Sequence, residues 1–266
     1  MARGFLRTIG RDVLFTHWPV DPDALRPLVP DGLAVDTFDG RGWVSALAIR
    51  DVRTGVRGLG AVAERSGPQL TLRTYVERGD DAGVYFLGID ASDRLGAALG
   101  RRALGLPISA ARIETDRRRG VFRFRSRRPG IARRAARFDA RYRPTGEAVR
   151  LQPGSIEAFL IERSRFFTAE TDSRSDESDR SGRRNHHSRS VSGVGEIARS
   201  PWLIREASAN VETEGLLAAV GLDAPSSTPL HHYSEGFLID TGRPRALERD
   251  GRRSVGSWGQ PIVRLS

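Results

Sequence analysis

Arg73 and Tyr75 stand two residues apart in the segment 69–77, in which apolar and polar side chains alternate. Such alternation predicts a strand, and residues two apart on a strand share a face. Tyr85 lies on the strand predicted after the next turn (residues 79–83), and Arg112 lies further along the chain. An arginine flanked by phenols inside a closed sheet would bind an organic anion, whereas outside it they form an ordinary polar face. Alternation does not decide between these positions. The candidate ligand-binding residues are Arg73, Tyr75, Tyr85 and Arg112.

The histidines are a second source of chemistry. There are five: His17, His186, His187, His231 and His232. A catalytic zinc site needs about three protein ligands, and adjacent histidines on a strand point to opposite faces. A site from His17, one of the pair at 231–232 and a carboxylate stays an alternative, but packed histidines are more common and we predict no metal. His17 is the candidate acid–base residue if its ring points inward, because imidazole titrates near neutral pH.

The composition excludes several kinds of chemistry. All 43 basic residues are arginine, cysteine is absent, and Met1 is the one methionine. Without lysine there is no Schiff-base amine and no P-loop lysine, and without cysteine there is no thiolate nucleophile or disulfide. Two segments, 58–63 and 193–198, match the dinucleotide pattern G-x-G-x-x-A, but prolines soon after each leave no room for the required helix. No cofactor is predicted, and no G-x-S-x-G elbow supports serine hydrolysis.

The net charge of +10 is concentrated in one segment. Residues 101–150 hold 16 arginines and 4 acidic residues, a net +12, whereas the rest holds 27 arginines and 29 acids, a net −2. Such a segment could bind a nucleic acid or an anionic surface, or it could be a solvated strand face. Phe122 and Phe124 alternate away from Arg123 and Arg125, which makes a nucleic-acid partner unfavourable because such binders interleave aromatics with the basic face. No apolar run suits a signal peptide or a membrane span, so we expect a cytoplasmic protein.

Periodicity predicts many short strands and a few short helices, which is typical of one predominantly β domain of α+β type. The predicted strands are 12–20, 33–37 and 43–52 (a hairpin around Asp39-Gly40), 69–77, 84–91, 112–116, 120–127, 134–142, 191–198, 202–206 and 230–239. The predicted helices are 23–28, 93–104 with Ser92 as its cap, a helix that starts after Pro153-Gly154-Ser155, and 212–220. Residues 54–68 are predicted to form a glycine-rich loop.

One domain over residues 11–241 is expected between an N-terminal tail (1–10) and an arginine-rich C-terminal tail (242–266). The segment 170–190 has no aliphatic or aromatic side chain apart from its two histidines, and its charges nearly cancel. It cannot bury enough surface to offset its ordering entropy, which predicts a disordered insertion in a surface loop.

Several spaced segments together resemble the YqjF-like family, a domain of unknown function. They occur in order over residues 10–240 and are R-D-V-L-F-T-H-W-P-V (11–20), L-R-P-L-V-P-D-G-L (25–33), L-R-T-Y-V (72–76), G-V-Y-F (83–86), Y-R-P (142–144), P-G-S-I-E-A-F-L-I-E-R (153–163) and P-W (201–202). Gln69 and Thr71 depart from the pattern, which has Glu and Asn there. The resemblance implies the fold of acetoacetate decarboxylase, a β-barrel or cone with a central cavity.

The same resemblance separates this chain from the decarboxylase reaction. That enzyme has a lysine pair just after a G-aromatic-P step, and the similar segment here is Gly105-Leu106-Pro107-Ile108-Ser109. Ile108 and Ser109 stand at the lysine positions, and no other lysine exists to form the imine. The leading hypothesis is therefore a protein that binds or transforms a small organic anion in a barrel cavity without a Schiff base. The alternative is a non-catalytic binding module that uses the arginines of 101–150.

Overall fold

The chain folds into fourteen β-strands and three short α-helices over the residues described by a computed structural model, which are 5–58, 64–129, 135–171, 189–224 and 227–247. The strands are β1 (Leu6–Val20), β2 (Ala34–Val35), β3 (Gly42–Val56), β4 (Arg65–Arg78), β5 (Asp81–Ala91), β6 (Ile108–Ala110), β7 (Arg112–Arg118), β8 (Val121–Arg128), β9 (Ala136–Arg150), β10 (Arg165–Thr171), β11 (Arg189–Arg199), β12 (Leu203–Glu212), β13 (Leu230–Thr241) and β14 (Arg245–Ala246). The helices are α1 (Pro22–Leu25), α2 (Arg94–Leu104) and α3 (Ile156–Ile161), with 3-10 turns at Arg26–Leu28 and Ala218–Val220.

Seven strands close into a ring. Their order is β11-β10-β5-β4-β3-β1-β13, and β13 pairs again with β11. Around the ring every pairing is antiparallel except that of β5 with β10. A ring with an odd number of strands cannot alternate direction all the way round, so one parallel contact is required. From β13 the sheet continues outside the ring through β12, β9, β8 and β7.

The ring has an apolar inner face and an apolar outer face. On β1, Val13 and Phe15 pack in an inner cluster, whereas Leu14 and Trp18 pack in an outer one. The outer cluster is completed by aromatic residues of the extension, which are Phe122, Phe124, Phe138 and Tyr142. Alternation along each strand therefore serves two cores, and the extension covers one side of the ring.

Side-chain caps fix the ends of the helices. Asp93 Oδ1 accepts the Leu95 N–H at 3.0 Å at the start of α2, and Gly105 ends that helix with φ +65°. Ser155 Oγ accepts the Ala158 N–H at 3.2 Å at the start of α3. The helix predicted over 93–104 begins one residue later, at Arg94, and the helix predicted after 155 is confirmed. Asp93 therefore occupies the cap position of α2 in place of the expected Ser92.

Three predicted elements are wrong. The turn predicted at Asp39-Gly40 forms, with Phe38 bridged to Arg41, but residues 33–37 do not pair with β3. The short β2 pairs with β4 instead, Ala34 opposite Glu77. The helix expected over 212–220 is a 3-10 turn at its end, because Glu212 still pairs in β12 and Gly215 adopts φ +69°. Within 54–68, β3 runs on to Val56 and β4 begins at Arg65, so the loop is shorter than expected.

The described structure extends past the expected domain limits. β1 begins at Leu6, inside the expected N-terminal tail, and β14 lies inside the expected C-terminal tail. The expected insertion falls between β10 and β11, and 172–188 lie outside the described residues. Of the helices in the described ranges, none has the length and apolar content needed to cross a membrane.

Candidate anion-binding site

A cavity of about 560 Å³ lies inside the ring and is partly open to solvent. Its lining includes residues at the ends of four ring strands, which are Leu6, Val56, Arg65 and Thr241. Side chains from within the ring line it further along the strands, including Leu47 of β3 and Arg73 of β4. The strand ends therefore form the mouth, and Arg73 lies deep in the cavity. One side is covered by α2, which contributes Ala97 and Leu104 to the lining.

Arg73 is a buried cation without an acidic partner. Its side chain belongs to a residue that is 8% exposed, and none of the ion pairs found among the described residues includes it. One terminal nitrogen donates to the Leu160 carbonyl oxygen at 2.8 Å, and the buried Nε–H has no acceptor. Burial lowers the pKa of Arg73, and the positive charges of Arg199 and Arg163 lower it further, against the raising effect of Tyr75. A buried positive charge without a counter-ion is energetically costly.

Two other arginines of the lining act on Arg73 at the deep end, and both are paired. A further one, Arg65 at the mouth, lies 4.0 Å from Asp93. Arg163 lies 2.6 Å from Asp36 Oδ2, with its guanidinium carbon 4.2 Å from the centre of the Phe159 ring. Arg199 lies 2.5 Å from Glu162 Oε2. These pairs cancel two of the three positive charges. Sequence reasoning missed both arginines as cavity residues, although Arg163 stood in the run 153–163 that carried the resemblance.

A hydrogen-bonded chain connects His17 to the carbonyl that holds Arg73. Tyr75 donates to the Leu160 carbonyl oxygen at 2.7 Å, Ser45 Oγ lies 2.5 Å from the Tyr75 oxygen, and His17 Nδ1 lies 2.6 Å from Ser45 Oγ. Tyr75 donates its one hydroxyl proton to the Leu160 carbonyl, so the Ser45 hydroxyl must donate to the Tyr75 oxygen. The Ser45 oxygen is then the acceptor for His17, whose Nδ1–H must be the donor. His17 therefore has its proton on Nδ1, and its buried Nε2 has no hydrogen-bond partner in the part of the chain that the structure describes.

His17 is held neutral. Burial lowers its pKa well below the ordinary value, and the nearby His232, Arg73 and His231 lower it further. The His17 and His232 rings are 5.4 Å apart, whereas His231 Nδ1 lies 3.2 Å from Thr16 Oγ1 on the opposite face of β13. Within the described ranges, no three His, Asp or Glu side chains are close enough to hold a metal ion.

The structure brings together only part of the predicted site. Arg73 and Tyr75 lie on the inner face of β4, the guanidinium carbon 5.8 Å from the ring centre. Tyr85 lies opposite Thr74 and packs in an outer cluster with Val76, because Gly79-Asp80 form a two-residue turn that sets the register. Phe86 takes the inner position opposite Arg73.

Arg112 is also displaced from the cavity. It begins β7 in the extension, is exposed, and pairs with Glu114 at 2.8 Å. His17 points into the ring but stands behind Tyr75 and Ser45 and does not line the cavity. Neither of the nucleotide-like patterns forms a strand–helix turn in the described residues. Gly193–Ala198 is part of β11, and most of the pattern at 58–63 lies outside the described residues.

The segment compared with the decarboxylase lysines reaches the cavity. Ile108 begins β6, which pairs in parallel with β5, and its side chain lines the cavity. Ser109 is buried on the same short strand. The cavity wall at this position is therefore formed by the apolar Ile108 side chain and not by a lysine amine.

The fold is that of the acetoacetate decarboxylase-like proteins. An acetoacetate decarboxylase-like enzyme from Sphingomonas wittichii RW1 has a TM-score of 0.57, with 18% identity, covering 91% of this chain and 93% of that one. The enduracididine biosynthesis enzyme MppR, complexed with pyruvate, has a TM-score of 0.63, with 13% identity, covering 93% and 92%. At these identities the likeness concerns the fold.

The family is defined by sequence. The chain belongs to DUF2071, described as an uncharacterized conserved protein, whose model matches residues 10–237. It is also 32% identical over 231 residues to the uncharacterized protein YqjF of Bacillus subtilis strain 168, covering 86% of this chain and 87% of that protein. The resemblance drawn from the sequence segments is thereby confirmed.

Proposed function

We propose that this protein binds a small organic carboxylate in the ring cavity, with Arg73 as the anchor. The observation that carries the proposal is the buried Arg73 side chain, which has no acidic partner among the described residues and lies against a cavity of about 560 Å³. A carboxylate there would replace water lost on burial with charge-assisted hydrogen bonds.

The comparison with solved structures supports the choice of ligand class. MppR, which shares the fold, has been observed with pyruvate, a small carboxylate. A reaction through a Schiff base is not open to this chain, since it contains no lysine and Ile108 lines the wall in the segment that resembles the lysine step. The proposal is therefore carboxylate binding by charge and shape.

We assign His17 a positioning role. It reaches the cavity only through Ser45, Tyr75 and the Leu160 carbonyl, and that carbonyl also accepts from Arg73. Fixing the proton order along this chain holds the carbonyl, and with it the guanidinium, in one orientation.

Calorimetric titration with a panel of small carboxylates tests the proposal. Arg73→Gln should weaken binding about 10- to 100-fold, as expected for loss of a hydrogen bond to a charged group. Arg73→Lys should retain part of the affinity because it keeps the charge but not the planar fork. Arg112→Gln is the matched control, because this surface arginine lies outside the cavity, and it should bind like the parent. Equal affinity in the Arg73→Gln variant would contradict the assignment.

A second candidate function uses the surface arginines of 101–150. Arg118, Arg119, Arg123 and Arg141 are exposed, and they lie on neighbouring strands or turns of the extension. Phe122 and Phe124, however, are buried in the core at 1% and 0% exposure and leave no aromatic surface beside them. Binding to single-stranded DNA at low salt, falling steeply with added salt, would support this function, and no binding at low salt would dismiss it.

A further inference from the structure

The charges at the deep end of the cavity allow one anionic group there. Arg163 and Arg199 are neutralised by Asp36 and Glu162, at 2.6 Å and 2.5 Å. Among the described residues, Arg73 is the one of these three arginines for which no acidic partner is found. One free positive charge at the deep end matches one carboxylate, and a second carboxylate placed nearby would be desolvated without compensation.

The walls between Arg73 and the mouth are mainly apolar. They combine aliphatic and aromatic side chains from β3, β5, β6, β10 and β13, namely Leu47, Ile49, Ile89, Ile108, Phe166 and Phe237. Gln69 and Thr71, the polar residues of β4 nearest to Arg73 in the lining, are hydrogen-bonded to each other at 3.0 Å. A ligand that fills this space must present apolar surface to most of it.

The cavity lining follows β4 from Arg73 towards the mouth. From Arg73 to Arg65, the first residue of β4, the strand runs eight residues, or roughly 26 Å at 3.3 Å per residue. The volume of the cavity, about 560 Å³, falls within the range of sites for drug-sized ligands. An acid of two to four carbons bound at Arg73 would leave most of this apolar space unfilled.

We propose that the ligand is an amphipathic monocarboxylate, with its carboxylate on Arg73 and an apolar tail extending along the walls towards the mouth. This inference rests on the proposed function and specifies its ligand class. Longer tails should bind more tightly because each methylene leaves water for an apolar wall.

A chain-length series tests the tail. Acetate, butyrate, hexanoate, octanoate and decanoate, each below its micelle concentration, are titrated into the full-length protein by calorimetry. Affinity should rise roughly two- to fourfold with each methylene beyond butyrate. Thr54 lines the cavity near the end of β3 and is half-buried. Thr54→Trp should therefore stop the rise at a shorter chain than in the parent.

Two ligands of equal carbon number but different charge test the head group. Adipate and hexanoate have the same number of carbons, and adipate places a second carboxylate among the apolar walls. It should bind at least 10-fold more weakly than hexanoate. Hexanol, which has the tail without the charge, should also bind weakly, and Arg73→Gln should remove the preference for hexanoate over hexanol.

Failure of this inference differs from failure of the proposed function. If short acids bind through Arg73 but affinity is independent of chain length, or adipate equals hexanoate, the amphipathic ligand is wrong and carboxylate binding stands. If none of the acids binds, or if Arg73→Gln binds them as well as the parent, both are wrong.

Discussion

Arg73 and Tyr75 donate to the same acceptor, the carbonyl oxygen of Leu160, at 2.8 Å and 2.7 Å. This shared contact joins a charged group that lines the cavity to a neutral chain that ends at His17 Nε2. The two donors differ in what they contribute to the ligand-free protein. Tyr75 adds a satisfied hydrogen bond, whereas Arg73 adds an uncompensated buried charge.

Arg73→Met should stabilise the ligand-free protein while abolishing carboxylate binding. The substitution removes a desolvated charge and leaves Tyr75 to satisfy the Leu160 carbonyl. We expect a gain of about 1 kcal/mol, or an increase of roughly 2–4 °C in Tm, measured by thermal denaturation. Arg163→Met is the matched control. It leaves Asp36 without its partner at 2.6 Å and should lower the Tm. A lower Tm for Arg73→Met would show that its charge is already compensated.

Tyr75→Phe should destabilise the protein by about 1 kcal/mol, because the Ser45 hydroxyl loses its acceptor inside the ring. The measurement is urea denaturation. Tyr85→Phe serves for comparison, since no hydrogen bond of the Tyr85 hydroxyl is found among the described residues and Tyr85 lies in a different cluster. Equal losses for the two variants would count against the chain of hydrogen bonds.

Alternation in the sequence predicted that Arg73 and Tyr75 share one face of β4, but it could not show that this face is the inner one. The prediction for Tyr85 was wrong because a five-residue turn was expected, whereas the chain makes a two-residue turn at Gly79-Asp80. A change of one residue in register exchanges the two faces of a strand. The partners of Arg163 and Arg199 come from distant segments, and no spacing predicts them.

Among the elements, glycines let aromatic rings lie flat on neighbouring strands of the ring. A Cβ built on Gly10 would lie 2.2 Å from the Phe237 ring, and one on Gly195 would lie 2.2 Å from the Phe166 ring. Both phenylalanines line the cavity. Each glycine therefore provides space for a wall of the candidate site.

Gly195→Ala should destabilise the protein by about 1–3 kcal/mol, because Phe166 is buried at 2% exposure and has little room to move. Gly55→Ala on β3 is the control, since its Cβ would meet nothing nearer than 3.9 Å. Urea denaturation of both variants checks the prediction. Similar effects would mean that the Phe166 ring moves without cost.

The sequence predicts most of these strands from alternation, but it does not predict which strands pair. β2 was expected beside β3 and pairs with β4 instead, since pairing depends on tertiary contacts. The expected helix over 212–220 has good helix-forming residues, yet Glu212 pairs with Asp139 in the sheet. The helix preference of these residues is outweighed at Glu212 by the backbone pairing between β12 and β9.

In the whole molecule, buried histidines link stability to pH. Burial lowers the pKa values of His17, His231 and His232 below their ordinary value. The unfolded chain therefore binds more protons than the folded one as the pH falls through about 6.5. Their contribution to stability is full above that pH and is lost below it.

The free energy of unfolding should fall between pH 6.5 and 5, by up to about 1.4 kcal/mol per pH unit for each such histidine. Urea denaturation across this range measures the slope. His17→Asn removes the most deeply buried of the three groups and should flatten it. A stability that is constant from pH 7 to 5 would contradict the neutral state of His17.

The ring is not equally continuous around its circumference. β1 pairs with β3 over almost its whole length, whereas β10 meets β5 only at Phe166–Val84 and Phe167–Tyr85, and β11 meets β13 only from Ile197 to Arg199. The β10–β11 hairpin is thus joined to its neighbour on each side by only two or three residue pairs, and we call these two junctions the seams. The hairpin also contributes part of the cavity wall. Backbone amides at these seams should exchange with solvent deuterium sooner than those of β1 and β3. An occupant that contacts both the β10–β11 hairpin and the rest of the ring should slow that exchange.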